Sequence, residues 1–222
     1  MPTMELTKQG TVYVLTLTNG VNANTLTEDV VAEYHDILDE LEASAENSAL
    51  ILTSSNPKFW CNGINLEWLL KQPPEYFPKF VELLDELFLR FSLLPIPTVG
   101  CLTGHVYAGG AILATTLDFR LMREDKGFFC FPEVDIKILF SPVMYDILRL
   151  LPDHYALNEL VLTGRRIGGK EALAMKIVSA VYPKETLYDK AMELAISLAK
   201  KDHRTYANIK RGLRQALVKY TL

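Results

Sequence analysis

The spacing of apolar positions changes period several times along the chain, and each change predicts an element. Residues 11–18 form a β-branched, apolar run closed by Asn19-Gly20, which reads as a strand ending in a turn. Thr25-Leu26-Thr27-Glu28 has the form of a capping box. Behind it Val30, Val31, Tyr34, Ile37, Leu38 and Leu41 recur at helical spacing, predicting a helix that runs to Ala43. Residues 49–53 are short and apolar and are broken by Asn56-Pro57, the pattern of a buried strand. Between residues 76 and 93, Phe80, Leu83, Leu84, Leu87 and Phe91 make one face of a helix, which Pro95 and Pro97 stop. A strand at 96–103, a helix at 109–117 and strands at 119–122 and 128–131 follow, the last delivering Glu133 at its end. From Pro142 the pattern is mostly helical, over 143–151, 156–162, 170–175 and 187–200. Alternation of strand and helix through the first two-thirds predicts an α/β fold with largely parallel strands. No repeat, low-complexity tract or linker divides the chain, so the expectation is one domain over 1–222 whose C-terminal portion is helical.

Composition narrows the classes. The chain has 222 residues, 49% of them hydrophobic, which is enough for one sizeable core. A mean hydropathy of +0.11 hints at oligomerisation. The net charge of −4, with no basic stripe, argues against nucleic acid as a partner. The basic tail (Lys200, Lys201, Arg204, Lys210, Arg211, Arg214, Lys219) reads first as solvated helix faces, with a phosphate-binding role as the alternative. Cys61, Cys101 and Cys130 are odd in number and form no C-x-x-C pair, so neither a disulfide framework nor a zinc site is expected. Residues 1–10 lack the apolar run of a signal peptide, and no stretch is long enough to span a bilayer. The terminal Lys219-Tyr220-Thr221-Leu222 is not a peroxisomal address, and a cytoplasmic location is the expectation.

The chemistry concentrates in two turns and one carboxylate. Cys61-Asn62-Gly63-Ile64-Asn65-Leu66 and Gly104-His105-Val106-Tyr107-Ala108-Gly109-Gly110 each follow an apolar run and precede a predicted helix. Such turns leave backbone N–H groups unpaired and aimed outward, which suits an oxyanion. With Glu133 nearby, the set fits removal of a proton next to a carbonyl.

These residues carry a family resemblance. Residues 58–66 (KFWCNGINL) resemble the K-F-S-A-G-A-D-L segment of the enoyl-CoA hydratase/isomerase (crotonase) superfamily, and residues 97–110 (PTVGCLTGHVYAGG) resemble its P-x-I-A-A-V-N-G-x-A-x-G-G-G segment. Asp118 matches the family's C-D position, and 162–178 resemble its L-T-G-x-x-I-x-A-x-E-A…G-L-V segment. The likeness runs in order from Thr11 to the C-terminus.

The resemblance implies a ββα spiral over about residues 1–165, with a helical region over about 166–222 that packs neighbouring subunits into a homotrimer or a hexamer. It also implies an acyl-CoA substrate, with no metal or redox cofactor. It assigns the oxyanion hole to the N–H groups of Ile64 and Gly109, catalysis to Glu133, and substrate contacts to Lys58, Gly63, Asn65, Leu66 and Gly110. Ala108 replaces the first of three family glycines, which reads as a modest departure, and Asn65 replaces an Asp.

Hydratases of the family use two glutamates; here the first of those positions is Ile112 and only Glu133 remains. One carboxylate suffices to move a proton from C2 to C4 of a 3-enoyl thioester, so the resemblance favours a Δ3,Δ2-enoyl-CoA isomerase. The segment 122–136 (MREDKGFFCFPEVDI) is similar to the M-R-x-D-x-G…S-E-V-D-I stretch of plant-type monofunctional isomerases. Two alternatives stay open: another acyl-CoA enzyme of the superfamily (hydrolase, decarboxylase or atypical hydratase), and a non-catalytic acyl-CoA-binding protein.

Two features invite other readings. Residues 164–170 (GRRIGGK) match the core of a P-loop, but Glu171 stands where Ser or Thr must meet Mg²⁺, so a plain loop into a helix is expected. His105 reads as a buried, hydrogen-bonded histidine, with no nucleophile paired to it. The four histidines have no metal-ligand spacing.

Overall fold

The computed structural model describes residues 2–221. The element order is β1 (Met4–Gln9), β2 (Val12–Leu17), α1 (Glu28–Ala43), β3 (Ala49–Ser54), β4 (Phe59–Cys61), α2 (Leu66–Leu69), α3 (Tyr76–Leu93), β5 (Thr98–Leu102), β6 (His105–Tyr107) and α4 (Gly109–Thr116). It continues with β7 (Phe119–Arg123), β8 (Phe129–Cys130), α5 (Glu133–Ile136), α6 (Pro142–Leu148), α7 (His154–Thr163), α8 (Gly169–Ala174), β9 (Ala180–Tyr182), α9 (Lys184–Leu198), α10 (His203–Leu213) and α11 (Gln215–Val218).

The strands make two sheets. Six strands run in the order β1-β2-β3-β5-β7-β9, and three short ones in the order β4-β6-β8. Only the β1–β2 pair is antiparallel; every other named pairing is parallel. Three successive ββα turns generate this pattern. In each, the first strand (β3, β5, β7) joins the large sheet, the second (β4, β6, β8) joins the small one, and a helix follows. This is the spiral implied by the sequence resemblance.

The large sheet is covered on both faces. Val12, Val14, Ala49, Ile51, Val99 and Cys101 face α9, which answers with Leu187, Ala191, Ala195 and Leu198. Tyr13, Leu15, Leu17, Leu50 and Leu52 point the other way, into the main core shared with α1, α3 and α4. Residues 49–54 are therefore all buried and show no alternation. In the main core the rings of Tyr34 and Phe91 meet edge-on at 5.6 Å, joining α1 to α3.

Three details depart from expectation. The cap of α1 is Thr27, whose hydroxyl accepts from Val30 N–H at 3.4 Å, and not the first residue of the Thr25–Glu28 box. Leu26, just ahead of Thr27, is held in a parallel bridge with Ile64. Glu133 opens the one-turn helix α5 rather than ending a strand.

The third departure concerns the basic tail. Lys210 and Arg214 are not solvated: Lys210 is buried, and Arg214 donates inward to the carbonyls of Ser92 and Thr116. Both cations bind the buried Asp118, with Lys210 Nζ at 3.0 Å and Arg214 Nη2 at 2.9 Å. Burial alone would raise the Asp118 pKa, but the two cations hold it below the usual carboxylate range. Among the described residues no helix is long and apolar enough to cross a membrane.

Candidate active site

The three strands of the small sheet run parallel, so their C-terminal ends lie side by side. The turn after β4 carries Ile64, the turn after β6 carries Gly109, and the chain leaving β8 reaches Glu133. Groups separated by 69 positions along the chain (64 to 133) are thus brought to one end of one sheet. The register slips between Phe59 and Cys61, a bulge of the kind that re-aims a strand end.

The first turn is clamped from outside by residues 23–26. Leu26 N–H donates to Gly63 C=O at 2.8 Å, and Asn65 N–H donates to Leu26 C=O at 2.9 Å. Asn62 N–H donates to Ala23 C=O at 3.1 Å, and Asn24 Nδ2 donates to the carbonyls of Phe59 and Trp60. The N–H groups of Asn62 and Asn65, on either side of Ile64, are thereby spent. Among the described residues the N–H of Ile64 finds no acceptor, and neither does that of Gly109 at the start of α4. Asn65 caps α2, its side-chain oxygen accepting from Trp68 N–H at 2.9 Å, a role that needs no charge.

The two turns touch. Gly63 has φ +76, and a Cβ on it would lie 2.8 Å from Gly109 N. A Cβ on Gly109 would lie 3.7 Å from Ile64 N, so the two free N–H groups are neighbours. A Cβ on Gly110 would strike the Cys61 carbonyl oxygen at 2.3 Å, which is why the helix start needs glycine there.

Ile64, Gly109 and Glu133 line one cavity of about 470 Å³. Asn65 and Leu66 line it too; Gly63 and Gly110 stand behind the wall, where they permit the close approach. Lys58 is not part of the lining, and its Nζ lies 4.9 Å over the Phe59 ring. Phe77, Val81, Leu84 and Phe88 give the cavity an apolar wall from one stripe of α3, the spacing of a single helix face. That helix serves core and cavity at once, since Phe80, Leu87 and Phe91 point into the core. Ile138, Leu139 and Phe140 form part of the lining, whereas Phe129 and Phe131 are core residues.

Glu133 is 5% exposed, and its Oε2 has no partner among the described residues. Burial pushes its pKa from 4.5 up to about 7. Ile112, on α4, lines the same cavity, so no second carboxylate stands at that position. The arrangement can accept a proton at one oxygen and stabilise an oxyanion at two amides. The other carboxylate of the lining, Glu67 on α2, is exposed and paired with Lys71 at 3.1 Å. Burial lifts the Cys61 thiol to about 12, leaving it un-ionised, and His105, half-buried rather than buried, stacks on Phe128 and meets the Tyr107 ring at a tilt, with Nδ1 accepting from Phe128 N–H.

Sequence reasoning missed the clamp at 23–26 and several lining residues, among them Asn62, Glu67, Tyr107 and Met144. In the sequence this stretch shows only the turn signal Asn19-Gly20 and the Thr25–Glu28 capping box. The P-loop-like segment is a plain connection: Gly164 ends α7 at φ +64, Arg165 pairs with Glu159 and Glu171, and Ile167 bridges to Phe129.

Comparison with known proteins shows the family. The family model described as enoyl-CoA hydratase/isomerase matches residues 7–221. Enoyl-CoA delta isomerase 2, peroxisomal, of Arabidopsis thaliana is 32% identical over 226 residues, covering 94% of this chain and 90% of that one. A short-chain-enoyl-CoA hydratase of Clostridium acetobutylicum is 28% identical, covering 86% and 72%. Among solved structures, a probable enoyl-CoA hydratase of Mycobacterium tuberculosis superposes with a TM-score of 0.90 at 21% identity, covering 98% of this chain and 91% of that chain. The protein, with its crotonase fold, belongs to the enoyl-CoA hydratase/isomerase family.

Proposed function

We propose that the chain is a Δ3,Δ2-enoyl-CoA isomerase. The observation that carries this reading is the single buried carboxylate, Glu133, in a cavity where Ile112 stands in place of a second one. The thioester oxygen of a 3-enoyl-CoA accepts from Ile64 and Gly109 N–H. Glu133 takes a proton from C2, the negative charge spreads through the dienolate to the thioester oxygen, and the two amides stabilise it there. The same carboxyl then returns the proton to C4, leaving the double bond between C2 and C3. A base with a pKa of about 7 is matched to both halves of this transfer near neutral pH. Hydration would also need a second group to orient and deprotonate water, and the Ile112 side chain does neither.

The apolar stripe of α3 with Ile138 and Phe140 receives the acyl chain, and the reaction uses no metal or redox cofactor. A homotrimer or hexamer in the cytoplasm completes the proposal. Apolar side chains left exposed on α5 and α7 (Val134, Tyr155 and Leu162) support assembly, and light scattering would test it.

The deciding experiment is turnover of a 3-enoyl-CoA to its conjugated 2-enoyl isomer, with wild type beside Glu133→Gln and a 2-enoyl-CoA included to detect hydration. Isomerisation that collapses in the variant, without hydration, is expected. No isomerisation by a folded wild type that binds acyl-CoA would overturn the reading, and turnover would then be sought in hydrolysis or decarboxylation.

A further inference from the structure

Ala108 adopts φ +50 and ψ −125. Four other non-glycine residues have positive φ, and the two of these at helix ends, Ala23 and Lys137, lie in the left-handed helical well with ψ of 27 and 35. Ala108 lies outside that well, in a region suited to glycine at the first central position of a type II′ turn. An L residue persists there only where its surroundings hold it.

The surroundings do hold it. Ala108 N–H donates to Cys130 C=O at 3.1 Å, and its own carbonyl accepts from Ala111 and Ile112 N–H at 2.8 and 3.0 Å. The methyl lies 2.8 Å from where a Cβ on Gly63 would stand, so it fills the space that glycine leaves open. Both peptide groups flanking the methyl are therefore fixed, and one of them supplies the free N–H of Gly109.

We infer that Ala108 is a positioning residue: its methyl, seated against Gly63, locks the two turns together and holds the Gly109 and Ile64 amides in one geometry. The inference rests on the cavity's reading as an oxyanion site. Glycine at 108 would relax the backbone but free it to rotate. A relaxed turn is more stable and a less exact donor, so stability and turnover move in opposite directions.

The test compares wild type, Ala108→Gly and Ala108→Ser. In the ligand-free protein, Ala108→Gly is expected to melt higher by roughly 2–4 °C while ¹⁵N order parameters at Gly109 and Ile64 fall. Ala108→Ser keeps a Cβ and is expected to retain wild-type order at both amides. With 3-enoyl-CoA, kcat of Ala108→Gly falls about tenfold at nearly constant KM, and Ala108→Ser restores it. Unchanged amide order in Ala108→Gly, or a lower melting temperature, overturns the inference. Because these two readouts need no substrate, a wild type without isomerase activity would count against the proposed reaction, while amide order and melting would still decide the role of Ala108.

Discussion

Leu26 brackets Ile64. Its N–H donates to the residue before Ile64 and its C=O accepts from the residue after, so the main chain of Ile64 is held on both sides while its own N–H stays free. The Leu26 side chain is fully buried, and its Cδ1 would sit 3.4 Å from a Cβ on Gly109. One residue thus braces both turns. Leu26→Ala keeps the backbone bonds but empties that contact. Urea denaturation should show a loss of about 2–5 kcal/mol, and kcat should fall in the surviving folded protein.

Glu133 carries a stability cost beside its proposed chemical role. Its carboxyl binds a proton with a pKa of about 7 when folded, against 4.5 as the ordinary value. Between these values the folded state holds more protons than the unfolded one, so stability is full below pH 4.5 and declines as pH rises through 7. The loss amounts to about 3 kcal/mol above pH 8. Glu133→Gln should therefore melt higher than wild type at pH 8, with the gap closing toward pH 4.5. A variant that melts lower at pH 8 would contradict burial as the cause of the shift.

The same pKa sets the rate profile. Proton removal from C2 requires the carboxylate, so kcat/KM for isomerisation should fall tenfold per pH unit well below pH 7 and level off above it. A profile flat from pH 5 to 9 would assign the base elsewhere.

Ile112→Glu tests why one carboxylate is enough. An acid on α4 facing the same cavity should allow measurable hydration of a 2-enoyl-CoA, where wild type should show none, and should lower the melting temperature because Ile112 is 2% exposed. Destabilisation without hydration would show that position 112 does not control the reaction type.

Asp118→Asn leaves Lys210 and Arg214 without their buried counter-charge. A loss of about 3–5 kcal/mol is expected, together with earlier proteolysis of α10. A melting temperature equal to wild type would mean the three groups do not hold the helix.

Much of this was readable from the chain, and the gaps have physical causes. The two turns and Glu133 stood out because glycines and a carboxylate at those spacings serve chemistry that few other patterns serve. Helix α10 did not stand out, since its inward face bears Tyr206 and Lys210, with Arg214 capping its end, and inward polar residues break the apolar period. Strand β9 has three residues, too few to show a period. Thr25 imitates a cap in sequence; only the distant pairing of Leu26 with Ile64 moves the helix start to Thr27. The departure at Ala108 looked modest as a letter and is a strained conformation in space.

The parallel ends of β4, β6 and β8 have a consequence for how this protein tolerates change. Two of the three groups in the proposed site are main-chain amides, which no codon substitution removes. Side chains around them can drift to suit new acyl groups while the oxyanion donors persist, and only the glycines and the register that aim those amides are held fixed. The proposed reaction type, by contrast, would hang on single letters at 112 and 133. One scaffold can thereby keep its grip on a thioester and exchange one chemistry for another in very few mutational steps.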